Sequence, residues 1–169
     1  MAAKSVDIGF IPTPYDLIPE MLTLARAGRG DVLYDLGCGD GRIAIRAARQ
    51  LGMRAVGIDI DPERIREAEE NAQAAGVADL VTFRQENLFE CDFREATVVV
   101  LYLLPHLNLR LRPALLRQLR PGARIVSRDF DLGDWPPQQR VHFTEVEEEA
   151  TLYCWEIPDR LQDLAKPGF

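Results

Sequence analysis

Three glycines and two aspartates are spaced as in a site that binds a nucleoside. Gly37 and Gly39 follow an apolar run that contains Asp35, and a third glycine stands at position 41. Glycine allows a sharp turn and lets a ligand approach the backbone closely. Asp59 ends a second apolar run about 20 residues later, the spacing at which an acid accepts hydrogen bonds from both hydroxyls of a ribose. These residues predict a nucleoside site where two strands end.

The position of the third glycine favours one class of ligand. A dinucleotide fingerprint needs a glycine five positions after the first, but this chain has Arg42 there. Asp35, two residues before Gly37, would repel a pyrophosphate and attract an ammonium group. Asp-x-Gly-x-Gly-x-Gly, with an acid at the end of the second strand, resembles the S-adenosyl-L-methionine site of Rossmann-like methyltransferases.

Strand-like and helix-like segments alternate around this motif and must position it. Two alternating segments, 140–146 and 151–157, predict an antiparallel pair near the end of the chain. We therefore expect an α/β fold, a Rossmann-like three-layer α-β-α sandwich with five β/α repeats, a mostly parallel seven-stranded sheet and a C-terminal antiparallel strand pair. Residues 129–139 are expected to form a loop in place of the helix that usually follows the fifth strand of this fold. The other predicted strands are 32–36, 55–58, 81–84, 96–103 and 123–127, and the helices are 17–28, 41–51, 61–75 and 107–119.

Length, charge and cysteine content limit the class of protein. A chain of 169 residues suits a single domain, expected at 16–169 after an extended N-terminal segment, 1–15. No apolar stretch has the length of a membrane span, and the first residues lack the apolar core of a signal peptide. Three scattered cysteines indicate a reduced, cytoplasmic setting. The net charge of −7 disfavours direct nucleic-acid binding and favours a cationic partner, while the oligomeric state stays open.

Residues beside the glycines and acids are candidates for cofactor contacts. Cys38 is a small spacer within the glycine loop, and Ile60 directly follows Asp59. Asn87, just after the third strand, is placed to accept a hydrogen bond from the adenine amino group through its carbonyl oxygen. Leu88 would then pack on the adenine face. Alternatively, Asn87 occupies a plain turn and Leu88 packs in the core.

Polar and aromatic side chains elsewhere are candidates for contacts near the transferred group. Thr13 and Tyr15 flank a proline in the N-terminal segment, which either folds over the site or packs as a surface arm. Tyr102, at the end of the fourth strand, either faces the methyl group or is a core aromatic. Asp129 follows the fifth strand within reach of an acceptor, or belongs to an acidic loop. Tyr102 and Asp129 are the catalytic candidates, and the sequence shows no spacing typical of metal ligands.

Four motifs together resemble a compact group of seven-strand protein lysine methyltransferases. The group includes archaeal broad-specificity enzymes, mitochondrial enzymes that act on lysines of inner-membrane carriers and ATP synthase, and, more distantly, the non-SET histone lysine methyltransferases. The resemblance covers residues 10–157 and implies S-adenosylmethionine as methyl donor, S-adenosylhomocysteine as product, a protein lysine as acceptor, and Thr13 beside the methionine moiety. The motifs are residues 10–15, 32–43, 95–104 and 119–127.

The sequence leaves the acceptor open. Residues 102–105 read Tyr-Leu-Leu-Pro, not the Asn/Asp-Pro-Pro-aromatic motif with which methyltransferases of planar amines hold their substrates. Residues 127–130 read Ser-Arg-Asp-Phe, where the resembling group often has a histidine. Two other functions fit the same cofactor motifs. One is a small-molecule N- or O-methyltransferase, in which His106 or Tyr102 assists deprotonation, and the other is a non-catalytic S-adenosylmethionine-binding module.

Overall fold

The structure, a computed structural model, describes residues 11–159. Phe10 of the first motif therefore lies outside the described residues. Within this range, a 3-10 turn (Tyr15–Leu17) precedes the first helix. The helices are α1 (Ile18–Leu24), α2 (Arg42–Leu51), α3 (Pro62–Ala74) and α4 (Pro105–Gln118). The strands are β1 (Val32–Leu36), β2 (Arg54–Asp59), β3 (Val81–Gln85), β4 (Val98–Leu101), β5 (Arg124–Arg128), β6 (Gln139–Phe143) and β7 (Ala150–Glu156).

Seven strands form one sheet in the order β3-β2-β1-β4-β5-β7-β6. Neighbouring strands from β3 to β5 are parallel, and β7 pairs antiparallel with both β5 and β6. The strand order reverses at β1, because β2 and β3 lie on one side of it and β4 and β5 on the other. Ligands of such sheets bind at the carboxyl ends of the strands where the order reverses. The predicted sandwich with its C-terminal antiparallel strands is confirmed.

Two apolar cores cover the two faces of the sheet. The first lies under α1, α2 and α3 and includes Met21 and Ala68. The second lies under α4 and includes Leu115 and Trp155. Because each core joins one sheet face to helices, the described chain has three layers. None of the helices in this range has the length and apolar character of a membrane span.

Several segments differ from the expected elements, since α1 and β6 end at Leu24 and Phe143, earlier than predicted, and the fourth strand and the connection before it also differ. Strand β4 is two residues shorter than predicted at each end. Just before it, the hydroxyl of Thr97 accepts a hydrogen bond from the N–H of Val32 at 2.8 Å. The prediction of five β/α repeats is wrong between β3 and β4, where residues 86–97 form turns and no helix. There the buried Phe93 packs into the second core, and its N–H donates to the side chain of Gln118 on α4 at 2.7 Å.

Candidate active site

A cavity of about 530 Å³ opens at the carboxyl ends of β1, β2 and β4. The strand register brings these ends together, since Asp35 pairs with Gly57 of β2 and Val100 of β4. Residues from before the first helix, from the glycine loop and from the segments after β4 and β5 complete the lining. Seven of the predicted site residues line it: Thr13, Asp35, Gly37, Cys38, Asp59, Ile60 and Tyr102.

Two backbone hydrogen bonds hold the glycine loop against the end of β2. The N–H groups of Gly37 and Cys38 donate to the carbonyl oxygen of Ile58 at 2.8 and 2.9 Å. Gly37 has a φ of +97°, a left-handed conformation in which a side chain is strained. Burial raises the pKa of the Cys38 thiol, so this side chain stays protonated and packs as a small apolar group.

Asp59 is fixed by two backbone amides and keeps acceptor capacity for a ligand. The N–H of Gly39 donates to its Oδ2 and the N–H of Asp61 to its Oδ1, each at 3.0 Å. Each carboxylate oxygen can accept a second hydrogen bond, so two ribose hydroxyls can be bound. Ile60 lines the cavity beside it and is 61 % exposed, which leaves an apolar surface for a nucleoside to cover.

Asp35 is a buried carboxylate without a hydrogen-bond donor in the described part of the chain. It is 4 % exposed and lines the cavity. Burial, together with the nearby carboxylates of Asp59 and Asp40, raises the pKa of Asp35 well above its usual value. A buried carboxylate is costly unless a cation compensates it. The ammonium group of S-adenosylmethionine supplies such a cation, so these residues fit that cofactor.

Replacement of Asp35 by asparagine is expected to stabilise the ligand-free protein and weaken cofactor binding. The folded-state pKa of Asp35 is raised. The stability that this carboxyl group contributes is therefore fully present below its unfolded-state pKa, about 4. It is lost as the pH rises through the folded-state pKa. The Tm of Asp35→Asn should therefore exceed the wild-type value by about 3 °C at pH 8 and by less at pH 5. Thermal unfolding checks this, and calorimetry should show about tenfold weaker cofactor binding. A lower Tm at pH 8 would contradict the electrostatic account.

The arm, residues 11–15, forms one side of the cavity. Thr13 is 5 % exposed and belongs to the lining. Tyr15 is 59 % exposed and lies outside the lining, where its ring centroid is 4.2 Å from the guanidinium carbon of Arg42. The predicted pair is thus split between the inside and the outside of the arm. A direct contact between Tyr15 and the cofactor stays a prediction.

Aromatic and aliphatic side chains form the wall beyond the glycine loop. The rings of Tyr102 and Phe130 are nearly parallel, at 11°, with centroids 6.3 Å apart, and Leu103 and Leu104 extend the wall. The guanidinium carbon of the buried Arg128 lies 4.3 Å from the centroid of Tyr102. Nε and Nη1 of Arg128 have no hydrogen-bond partner in residues 11–159. Carboxylate oxygens of Asp129 and Glu148 lie 3.5 Å from its Nε and Nη2 atoms, respectively. These ion pairs and the π face of Tyr102 together offset part of the cost of burying this cation.

Other predicted residues lie outside the lining of the cavity. The Oδ1 atom of Asn87 accepts a hydrogen bond from the backbone N–H two residues later at 2.9 Å, and Leu88 packs against the second core. Asp129 has a φ of +63° and accepts a hydrogen bond from a backbone N–H of β7 at 3.0 Å, which holds the turn after β5. His106 is exposed at the start of α4. Contacts of these residues with cofactor or acceptor stay predictions.

Eleven of the eighteen lining residues were not predicted as site residues from the sequence, among them Asp40, Arg42 and Phe130. Asp40 and Arg42 line the cavity, whereas in the sequence Arg42 argues only against a dinucleotide site. The sequence contains one signal for these two residues: an arginine stands where a dinucleotide fingerprint has its third glycine, and an acid precedes it by two positions. Phe130 also lines the cavity, but its sequence context shows only an aromatic residue in an acidic loop.

Comparisons with known proteins identify the family. The family model of the ANTKMT methyltransferase domain matches residues 35–139. A protein-lysine N-methyltransferase of Saccharolobus islandicus is 40 % identical over 151 residues, which are 89 % of this chain and 94 % of that protein. The adenine nucleotide translocase lysine N-methyltransferase of Mus musculus is 36 % identical over 121 residues, 71 % of this chain. The aligned region is 52 % of the mouse protein, so the chain spans about half of its length.

A solved structure has the same fold at higher identity. It is the crystal structure of an RNA methyltransferase from Salinibacter ruber in complex with S-adenosyl-L-homocysteine. The TM-score is 0.85 at 55 % identity, with 89 % of this chain and 95 % of that chain covered. The predicted cofactor, S-adenosylmethionine, is confirmed by this neighbour and by the family match. This chain belongs to the ANTKMT methyltransferase domain family and is an S-adenosylmethionine-dependent methyltransferase.

Proposed function

We propose that the protein methylates the ε-amine of a lysine in another protein. The wall of the cavity is the observation that carries the proposal, because Val100, Tyr102, Leu103, Leu104 and Phe130 give it an apolar, aromatic surface. Such a surface removes water from an amine and lowers the pKa of its ammonium form, which yields the neutral nucleophile that methylation needs. The names of the archaeal and mouse relatives support the same acceptor.

Each part of the cavity has a task in this reaction. Asp35 binds the ammonium group of the cofactor, Asp59 orients the ribose, and Thr13 contacts the methionine moiety. When bound, S-adenosylmethionine supplies an activated methyl group, whose bond to sulfur breaks as its bond to the acceptor nitrogen forms. Tyr102 and Phe130 exclude water and hold the acceptor side chain in line with that bond. The acceptor ammonium loses one proton to solvent before transfer, so the chain needs no strong base.

We further propose that the protein acceptor presents a basic surface. The turn between β6 and β7 contains four exposed glutamates: Glu145, Glu147, Glu148 and Glu149. The N–H of Glu147 donates to the Oδ2 atom of Asp16 at 2.8 Å, which places this acidic turn beside the arm. Together with the net charge of −7, it attracts lysine or arginine residues that flank the acceptor, more strongly at low salt.

A cytoplasmic location is the third part of the proposal. The cysteines of the chain, Cys38, Cys91 and Cys154, are all free and buried. Thiols that remain unpaired suit a reducing compartment.

RNA is a second candidate acceptor, because the Salinibacter ruber neighbour is named as an RNA methyltransferase. A protein that grips a phosphate backbone normally presents clustered lysine and arginine residues. This chain has a net charge of −7 and exposed glutamates beside the cavity. Electrostatic repulsion therefore disfavours RNA, and we place protein lysine first.

Transfer of labelled methyl groups from S-adenosylmethionine into a cell lysate is the experiment that separates these acceptors. We expect acid-stable label in protein, resistant to ribonuclease and recovered as methyl-lysine after hydrolysis. Asp59→Ala serves as the inactive control. Label that disappears with ribonuclease would replace lysine by RNA, and label only in small molecules would support the small-molecule enzyme. Cofactor binding without any label would favour the non-catalytic module.

A further inference from the structure

The arm has little regular structure to hold it in place. Pro12 and Pro14 lack N–H donors, and residues 11–14 belong to no helix or strand. Thr13 is nevertheless 5 % exposed and lines the cavity. It belongs to the donor end of the cavity, the part that would hold S-adenosylmethionine. The position of the arm therefore depends on side chains from other parts of the molecule.

Arg42, the first residue of α2, supplies such contacts. Its Nη1 atom donates to the carbonyl oxygen of Thr13 at 3.0 Å, and its guanidinium stacks on the ring of Tyr15 at 4.2 Å. Its Nε and Nη2 atoms donate to the two carboxylate oxygens of Asp40 at 3.1 and 2.8 Å. Asp40 is in turn held through its carbonyl oxygen by the amide of Asn71 on α3 at 3.0 Å. One planar cation thus joins the middle and the C-terminal end of the arm to the glycine loop.

The chemistry of this junction requires arginine. A guanidinium offers donors in fixed directions in one plane and a flat face for an aromatic ring, whereas a lysine ammonium offers one compact charge. Arg42 uses one edge for Asp40, another for Thr13, and its face for Tyr15. A lysine at this position keeps the charge near Asp40 but cannot make all three contacts.

The arm and the glycine loop line the same cavity, so a bound cofactor lies between them. We propose that Arg42 is a positioning residue, which holds the arm across the donor end of the cavity and thereby limits the rate at which S-adenosylmethionine and its product leave. Release requires the arm to move away from the glycine loop, which breaks the hydrogen bond between Arg42 and Thr13. The proposal rests on cofactor binding in this cavity and not on the identity of the acceptor.

Stopped-flow displacement of S-adenosylhomocysteine from the full chain tests the proposal. Loss of the charge-assisted bond to Thr13 should raise the dissociation rate constant about tenfold in Arg42→Met. Arg42→Lys should fall between this variant and the wild type. Tyr15→Leu removes only the stacked ring on the exposed side of the arm, and it should raise the rate by a smaller factor. In steady-state assays, the KM for cofactor should rise in all three variants while the KM for acceptor stays at its wild-type value.

Arg46→Met is the matched control, because Arg46 lies one turn further along α2, binds Gln50 and does not line the cavity. It should release the product at the wild-type rate. A merely structural role for Arg42 predicts a lower Tm of the ligand-free protein with unchanged dissociation, and that result would overturn the proposal. If Arg42→Met does not fold, wild-type dissociation rates in both Arg42→Lys and Tyr15→Leu would overturn it equally.

Discussion

Substitution of Asp59 by alanine is expected to weaken binding of S-adenosylmethionine about 100-fold. The variant removes both oxygens available to the ribose hydroxyls, and each hydrogen bond to a charged group contributes about 1.5 kcal/mol or more. A total of about 3 kcal/mol corresponds to about 100-fold in Kd. The N–H of Gly39 loses its acceptor as well, so the glycine loop is less fixed in the variant. Isothermal titration calorimetry measures the change directly.

Two further variants separate this effect from a general disturbance of the site. Asp59→Asn keeps the shape and one acceptor oxygen, so we expect an intermediate loss of about tenfold. Glu63→Ala changes an exposed acid on the first turn of α3, outside the cavity lining, and should leave Kd unchanged. A wild-type Kd in a folded Asp59→Ala protein would show that the ribose is held elsewhere.

Substitution of Gly41 by alanine is expected to lower the free energy of unfolding by about 3 kcal/mol, from left-handed backbone strain and overpacking. Gly41 has a φ of +84°, and an added Cβ would lie 2.7 Å from Cζ of Phe83 and 3.0 Å from Cβ of Ala68. Urea unfolding followed by the fluorescence of the buried tryptophans, Trp135 and Trp155, measures the loss.

Substitutions of two other glycines separate the contribution of backbone strain from that of overpacking. Gly76 has a φ of +75° with no atom within 4 Å of an added Cβ, so Gly76→Ala should cost only the strain, about 1 kcal/mol. Gly30 has open space and no left-handed backbone, so Gly30→Ala should change stability by about 0.5 kcal/mol or less. Equal losses for Gly41→Ala and Gly76→Ala would show that the contact with Phe83 relaxes without cost. Partial recovery in the Gly41→Ala, Phe83→Leu double variant would confirm the packing part.

Local sequence patterns predict most of the sheet and the cofactor-binding part of the site. The apolar runs that end in Asp35 and Asp59 are strands whose carboxyl ends meet, because parallel neighbours share one edge of the sheet. The glycine loop between them follows from spacing alone. These features depend on residues that are close in the chain, so one sequence contains the information for them.

Contacts between distant segments explain what the sequence could not supply. Arg42 meets Thr13 and Tyr15 across nearly 30 positions, and no periodicity marks such a pair. Phe130 reaches Tyr102 because Asp129 adopts a left-handed backbone that turns the chain after β5. The connection from β3 to β4 lacks its expected helix, because packing of Phe93 on the second core covers that part of the sheet instead.

The position of β7 between β5 and β6 has a consequence for synthesis on the ribosome. The chain leaves the ribosome from its N-terminus, so β1 to β5 emerge before β7, the strand that pairs with β5 and β6. The edge of β5 therefore stays without its partner until residues 150–156 have been made, and unpaired strand edges promote aggregation. The nascent chain thus carries its glycine loop and both aspartates for some time before the last hairpin closes the sheet. Early cofactor binding would stabilise this incomplete fold by mass action, which would allow the methyl donor to assist the folding of the enzyme that consumes it.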